Sequence, residues 1–173
     1  MKKAVAVLSF LLAAGAATDA VAQSPIIASP KEIITVASTF LGTRYRFGGT
    51  SERAFDCSGF VRHSFHRVGI ELPRTSIDQY TQGCIVERDE LQPGDLVFFR
   101  NTYRGGISHV GIYLGDDSFI HASRQGVAVT SLSEPYWTKR FAGARRVVPA
   151  DPEPVSEVDD PPSLGYRDAP APE

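Results

Sequence analysis

The spacing of apolar residues divides the chain into a helical first half and an extended second half. In residues 33–41, apolar side chains recur at helical spacing, as on one face of an amphipathic helix. After Leu91 the period shortens, and brief apolar runs alternate with glycine or acidic turns, which is typical of β-strands. Helices followed by an antiparallel sheet predict an α+β fold.

Capping residues predict where the first two helices begin. Ser29 stands three residues before Glu32, which is the spacing of a capping box, and the helix is expected to end near Gly42. Asp56 is the predicted N-cap of a second helix. This cap would place Cys57 in the first turn of that helix.

A shorter third helix is predicted from about Ser76 to Gly83, and Cys84 is expected in the loop that follows. The remaining core predicts an antiparallel sheet of about five strands. These strands are expected at residues 96–99, 108–114, 118–122, 127–132 and 142–148.

Two of these strands carry one histidine each. If a Gly-Asp-Asp turn joins them, Leu114 lies opposite Ser118, and Gly111 lies opposite His121. His109 then shares a face of the sheet with His121 and lies diagonal to it. Because Gly111 has no side chain, it would leave space beside the imidazole of His121.

The first 22 residues have the pattern of a secretory signal peptide. Two lysines precede an apolar run, and Ala-Val-Ala ends the segment. We therefore predict a signal peptide at 1–22, a short linker at 23–30 and a periplasmic or secreted protein with no membrane span after processing. No cysteine near the cleavage point provides for lipid attachment. A retained membrane anchor or a buried helix is the alternative interpretation.

The carboxyl-terminal segment, residues 149–173, has seven prolines and seven acidic residues but only one basic residue. This composition predicts a disordered tail that acts as a solvated spacer. The core at 31–148 then retains 15 basic and 12 acidic residues. That mild positive charge suits an anionic polymer such as cell wall and is too weak to indicate a nucleic-acid-binding protein.

Candidate chemistry centres on Cys57. The amide dipoles of the first helical turn favour negative charge, so this position predicts a reactive thiolate. A disulfide between Cys57 and Cys84 is the default for a cysteine pair in an oxidising compartment, but it would remove that thiolate. We therefore predict that Cys57 is a free thiol and that Cys84 is a bystander.

A catalytic thiol needs a base, and histidine changes charge near neutral pH. His63 and His66 follow Cys57 on its own helix, where neither can fold back onto the first turn, so we interpret them as surface or packing residues. His109 is the predicted base and His121 the group that orients it. A zinc site on the same groups and a purely structural pair of histidines are the alternatives.

Six stretches of the core resemble the NlpC-type cysteine endopeptidases of bacterial cell walls. The stretches occur in family order from about residue 31 to residue 148 and cover nearly the whole core. They are YRFGGT at 45–50, FDCSGF at 55–60, LPRTS at 72–76, LQPGDLVFF at 91–99, SHVGIY at 108–113 and FIHA at 119–122. The later stretch EPYW at 134–137 is similar to single-domain periplasmic members.

The resemblance implies a pared-down papain-like fold with N-terminal helices packed on a C-terminal antiparallel sheet. It implies that Cys57 is the nucleophile, His109 the base and His121 the third polar group. It also implies that the Tyr45 hydroxyl stabilises the oxyanion. No metal or other cofactor is expected.

The same resemblance implies that Asp56, Ser58 and Arg74 hold the peptide stem of peptidoglycan. The scissile bond would be either D-Ala–meso-diaminopimelate or γ-D-Glu–meso-diaminopimelate. We expect a monomer, and dependence on an adaptor or a regulatory protease stays open. A non-catalytic cell-wall-binding protein on the same fold is the main alternative, and a transacylase or a toxin directed at another amide is a third.

Overall fold

Three helices precede most of the sheet, as the order of the periodic segments predicts. The computed structural model describes residues 28–149, so the predicted signal peptide, most of the linker and nearly all of the tail lie outside the described residues. The helices are α1 (Pro30–Ser38), α2 (Cys57–His66), α3 (Ser76–Gln79) and α4 (Pro135–Thr138). The strands are β1 (Thr50–Ser51), β2 (Ala54–Phe55), β3 (Cys84–Val86), β4 (Leu96–Arg100), β5 (Ile107–Gly115), β6 (Ser118–Ser123), β7 (Gly126–Ser131) and β8 (Phe141–Arg146).

Both predicted N-caps are present. The Ser29 hydroxyl accepts a hydrogen bond from the Glu32 amide, and the Glu32 carboxylate accepts one from the Ser29 amide, which completes the capping box. The Asp56 carboxylate accepts from the Gly59 amide at the start of α2. Helix ends are less well predicted: α1 stops at Ser38 rather than near Gly42, and α3 at Gln79 rather than near Gly83.

The main sheet has six antiparallel strands in the order β3-β8-β4-β5-β6-β7, and β1 and β2 form a separate small hairpin. All five predicted strands are present, and the α+β class is confirmed. The sixth, edge strand contains Cys84, so the loop predicted there is wrong. Three residues are too few to show a period of two, and pairing with β8 rather than local pattern makes this segment extended.

The turn between β5 and β6 differs by one residue from the predicted register. Gly115, not Leu114, pairs with Ser118, and the register shifts just before Gly115. Asp116 and Asp117 both have positive φ angles, at 48° and 56°, so they form a two-residue turn of the kind that closes twisted hairpins. The bulge absorbs the extra residue, which leaves the rest of the predicted alternation intact.

Apolar side chains cover both faces of the sheet. One cluster lies between the sheet and the helices α1 and α2, and includes Phe55, Phe60 and Ile112. A smaller cluster lies on the opposite face, where Phe99 and Phe119 pack against Trp137 of α4. The sheet is therefore a buried layer that can carry shielded polar groups.

Within residues 28–149, no helix is both long and apolar enough to cross a membrane.

Candidate active site

Cys57 is the first residue of α2 and lies against strand β5. It is only 3% exposed, and its Sγ atom lies 4.0 Å from the backbone oxygen of Ser108. The β5–β6 ladder begins at Ile112, so the part of β5 that carries Ser108 is not paired with β6. The start of α2 thus brings the thiol to the residue that precedes His109.

The environment of Cys57 keeps its thiol protonated. Burial, and then the nearby Asp56 carboxylate, raises the pKa of Cys57 to about 11, although backbone hydrogen bonds at Val110, Ser58 and Cys57 partly offset the rise. This direction of the shift opposes the expectation of a resting thiolate. The helix start provides amide donors, but desolvation outweighs the helix dipole at this depth.

His109 and His121 form a buried, hydrogen-bonded pair. His109 Nε2 lies 2.8 Å from His121 Nδ1, and the two residues are 7% and 2% exposed. Burial, and then the neighbouring His121, lowers the pKa of His109 well below 6.5. Burial lowers the pKa of His121 to about 4. Both imidazoles are therefore neutral at neutral pH, as a proton-accepting base requires.

Gly111 explains how two imidazoles fit side by side on this sheet. A Cβ atom at Gly111 would lie 2.7 Å from the Phe119 ring and 3.1 Å from His121 Cβ, closer than packed atoms approach. The prediction that Gly111 leaves space beside His121 is confirmed. Any larger residue there would have to displace the Phe119 ring and shift His121.

Thr130 of β7 extends the polar chain beyond the two histidines. His121 Nε2 lies 3.1 Å from Thr130 Oγ1. In the β6–β7 ladder His121 pairs with Ala128, so Thr130 is diagonal to His121 on the same face. The sequence interpretation missed this residue, although the alternation of the predicted strand 127–132 places it there.

An aromatic cage shields the histidine pair from water. Trp137 lies with its ring centroid 5.1 Å from that of His109 and 4.9 Å from that of His121. Phe119 packs on His121 at 4.7 Å. These contacts desolvate the imidazoles, and desolvation is the main cause of their lowered pKa values.

Tyr45 lies near the thiol, in the segment that bridges to Phe55. Burial, and then the nearby Cys57 and Asp56, raises the pKa of Tyr45 to about 12. Its hydroxyl therefore keeps its proton and can donate a hydrogen bond. That is the property required of a group that stabilises an oxyanion.

Asp56, Ser58 and Arg74 form one hydrogen-bonded cluster beside Cys57. The Arg74 guanidinium donates to both Asp56 carboxylate oxygens, at 3.0 and 2.6 Å, and to Ser58 Oγ at 3.0 Å. Asp56 also accepts from the amides of Gly48 and Gly59. Most of its acceptor capacity is thus used to hold the loop and α2 together, and binding of substrate by this cluster stays a prediction.

A groove opens beside this site. It is a cavity of about 630 Å³, within the usual range for ligand sites. We call it the catalytic groove. Its walls come from the loop before β1, the β4–β5 loop, the β6–β7 turn and α4, and its lining includes Tyr45, Phe47, Tyr103, His109, Arg124 and Trp137.

The other candidate residues lie outside this site. His63 packs between Phe40 and Phe55, and its Nε2 lies 3.4 Å from Glu52 without a hydrogen bond. His66 pairs with Glu71 at 3.1 Å on the surface. Both have the packing or surface roles predicted for them.

The two cysteines are separate. Cys57 is a free, buried thiol, as predicted, and Cys84 is a free, exposed one. Among residues 28–149, no group of three or more histidine, cysteine or acidic side chains is placed to hold a metal ion.

Comparison with known proteins gives consistent matches. The sequence profile of the NlpC/P60 family matches residues 42–146. The chain is 49% identical over 109 residues to murein DD-endopeptidase MepS/murein LD-carboxypeptidase of Escherichia coli K12, a match covering 62% of this chain and 57% of that protein. It is 42% identical over 128 residues to a probable endopeptidase NlpC homolog of Haemophilus influenzae, covering 73% and 67%.

A solved structure agrees with these sequence matches. The crystal structure of an NlpC/P60 family protein from Bacillus cereus superposes with a TM-score of 0.67 at 37% identity, covering 71% of this chain and 41% of that one. The fold predicted from the sequence resemblance is confirmed by this likeness. In the two curated relatives, the match spans between 57% and 67% of the protein's length.

Proposed function

Because the chain belongs to the NlpC/P60 family, we propose that it is a cysteine endopeptidase that hydrolyses amide bonds in the peptide part of peptidoglycan. The observation that carries this proposal is the neutral, hydrogen-bonded pair of His109 and His121 on the sheet, together with the Cys57 Sγ atom 4.0 Å from the backbone oxygen of Ser108, the residue before His109. A buried pair of this kind has no partner of opposite charge. It is therefore suited to proton transfer rather than to stabilising the fold.

The reaction begins with a proton transfer. His109 takes the thiol proton of Cys57 as the sulfur attacks the carbonyl carbon of the scissile amide, and a carbon–sulfur bond forms. The Tyr45 hydroxyl donates to the resulting oxyanion, together with backbone amides at the start of α2. The carbon–nitrogen bond then breaks as His109 returns the proton to the leaving amine. Water, activated by His109, hydrolyses the thioester and regenerates the thiol.

The polar chain from His109 through His121 to Thr130 accommodates the tautomer that this step requires. To accept the thiol proton, His109 must have a free lone pair on Nδ1 and its hydrogen on Nε2, which then donates to His121 Nδ1. His121 in turn carries its hydrogen on Nε2 and donates it to Thr130 Oγ1. Thr130 is therefore a positioning residue, which acts on the base only through His121.

The favoured target is the cross-link between D-alanine and meso-diaminopimelate. The relative with 49% identity is named a murein DD-endopeptidase, and its name supports this choice over the γ-D-Glu–meso-diaminopimelate bond. The peptide stem of peptidoglycan is the proposed binding partner, and a monomer is expected to suffice. The predicted signal peptide at 1–22 and the position of murein outside the cytoplasm support a periplasmic or secreted enzyme.

The test is digestion of purified diaminopimelate-containing cell wall, followed by mass spectrometry of the released fragments. Wild-type protein and Cys84→Ala should release cleaved stem peptides, and Cys57→Ala should release none while keeping its circular dichroism spectrum. Fragment masses identify the broken bond. Release of peptides by Cys57→Ala would contradict the mechanism, and a wild-type protein that binds cell wall without cleaving it would favour the non-catalytic alternative.

A further inference from the structure

Arg124 is a permanent charge without a partner at the edge of the catalytic groove. Among residues 28–149, no carboxylate lines this groove, and Arg124 is the only permanently charged side chain that does. None of the ion pairs formed within this range includes Arg124. The nearby Asp56 carboxylate is already held by Arg74.

Five arginines within residues 28–149 form ion pairs with a carboxylate, and Arg124 is one of those that do not. Arg67 pairs with Glu52 at 2.9 Å, and Arg146 pairs with Asp95 at 2.8 Å. An arginine left unpaired beside reactive groups is suited to a negatively charged ligand, because its planar donors match the two oxygens of a carboxylate.

The turn that carries Arg124 has a fixed position relative to the site. Arg124 lies between β6 and β7, three residues before Val127, whose amide donates to the Thr43 carbonyl at 2.9 Å. The Val127 carbonyl accepts from the Gly42 amide at 2.8 Å. These bonds join the turn to the segment that leads into Tyr45. The charge of Arg124 acts on the Tyr45 hydroxyl, so the guanidinium is within electrostatic reach of the reacting atoms.

Exposed aromatic rings form part of the groove lining. Phe47 is 73% exposed and Tyr103 50% exposed, and their rings pack edge to face with centroids 6.1 Å apart. A substrate held here would therefore contact exposed aromatic rings and one positive charge. A stem peptide offers both an aliphatic chain and a carboxylate.

Both candidate bonds have a free carboxylate close to the scissile amide. In a γ-D-glutamyl bond, the α-carboxylate of glutamate remains free on the acyl side. In the cross-link, the carbon that bears the leaving nitrogen also bears a carboxylate of meso-diaminopimelate. We propose that Arg124 binds the carboxylate that flanks the scissile amide and so selects stem peptides in which this group is not amidated. This proposal rests on the proposed function and adds the chemical feature that the groove recognises.

The experiment compares two forms of one substrate. A cross-linked muropeptide dimer is prepared with the flanking carboxylate either free or converted to a carboxamide, and a γ-D-glutamyl tripeptide is prepared in the same two forms. Values of kcat and KM are measured for wild type, Arg124→Lys, Arg124→Gln and Arg67→Gln. Arg67→Gln is the matched control, because it removes the same charge at the far end of α2 from Cys57.

Wild type and Arg67→Gln should prefer the free acid by about tenfold in kcat/KM, mainly through KM, as expected for a charge-assisted hydrogen bond. Arg124→Gln should cleave both forms with the kcat/KM that wild type has for the carboxamide form. Arg124→Lys should keep part of the preference for the free acid. A preference retained in Arg124→Gln, or an equal loss on both forms, would overturn the role of Arg124. A wild-type protein that cleaves none of the substrates would overturn the proposed function itself, and with it this inference.

Discussion

Two cavities of the same size differ in how their charged and titratable groups are satisfied. The catalytic groove and a hollow between α1 and the end of α2 each measure about 630 Å³. Lys31, Glu32 and Arg67 line the second, which we call the helix-side hollow. It contains charges of both signs, and Arg67 is paired with Glu52. The catalytic groove has no carboxylate in its described lining, and its histidine is neutral.

The histidines show the same difference. His63 and His66, near the helix-side hollow, each lie within 3.4 Å of a glutamate. His109 and His121 contact each other and aromatic rings, with no acidic partner. Cavity size and the presence of histidine therefore do not distinguish a catalytic site from a surface hollow in this protein. Buried titratable groups without a partner of opposite charge mark the candidate site instead. Such burial costs stability and is kept where it has a function.

The largest effect should come from exchanging one histidine of each region for asparagine. His109→Asn removes the base, so kcat on cross-linked muropeptides should fall at least about 10³-fold. His63→Asn should leave kcat within about twofold of wild type. It should instead lower the free energy of unfolding by about 1–2 kcal/mol, because His63 fills the space between Phe40 and Phe55.

The two readouts should therefore separate. Muropeptide cleavage measures kcat, and urea denaturation followed by circular dichroism measures the free energy of unfolding. His66→Asn, at an exposed position, is the control that should change neither. Equal losses of kcat in His109→Asn and His63→Asn would show that the contrast between the two regions is not functional.

A smaller effect is expected one step further along the polar chain, at Thr130. Thr130→Val removes the acceptor for His121 Nε2 and lets His121 adopt the other tautomer, in which His109 cannot accept a proton. We expect kcat to fall about tenfold with KM unchanged, in line with the loss of one buried hydrogen bond.

Thr130→Ser should restore kcat, because it returns the hydroxyl. Nitrogen-15 chemical shifts of the His121 ring report the tautomer directly and should change in the valine variant only. If Thr130→Val raises KM or lowers the melting temperature while the ring shifts stay as in wild type, Thr130 has only a packing role.

Sequence reasoning succeeded at this site where a local pattern has a single structural solution. Asp56 before an apolar helical face predicted both the N-cap and the place of Cys57. Alternation along two strands predicted the neighbourhood of His109, Gly111 and His121, and a one-residue error at the turn did not matter, because a bulge absorbed it. The positions of Cys57 and the two histidines could thus be predicted from spacing, and their catalytic roles stay predictions from the resemblance.

The failures have a common physical cause, which is dependence on distant parts of the chain. Strand β3 is extended because β8 pairs with it, and no local pattern around Cys84 indicates that. The thiol of Cys57 is neutral because strand β5 and the surrounding core desolvate it. Burial depth is a property of the packed molecule. The effect of the helix dipole on the pKa of Cys57 could therefore be predicted from the sequence, but the opposing effect of desolvation could not.

The smallest effect expected is that of pH on kcat/KM, which tests whether desolvation keeps the Cys57 thiol neutral. Catalysis needs His109 neutral and Cys57 protonated before attack. The pKa of His109 lies well below 6.5 and that of Cys57 at about 11, so kcat/KM should stay level between about pH 6 and pH 9. A resting thiolate–imidazolium pair would instead lose activity as the imidazolium deprotonates within that range.

In a Cys84→Ser background, alkylation of Cys57 by iodoacetamide should be slow at pH 7 and accelerate towards pH 11. Fast alkylation at pH 7, with a fall in kcat/KM before pH 9, would mean that the site holds an ion pair, and that desolvation does not set the catalytic groove apart from the helix-side hollow.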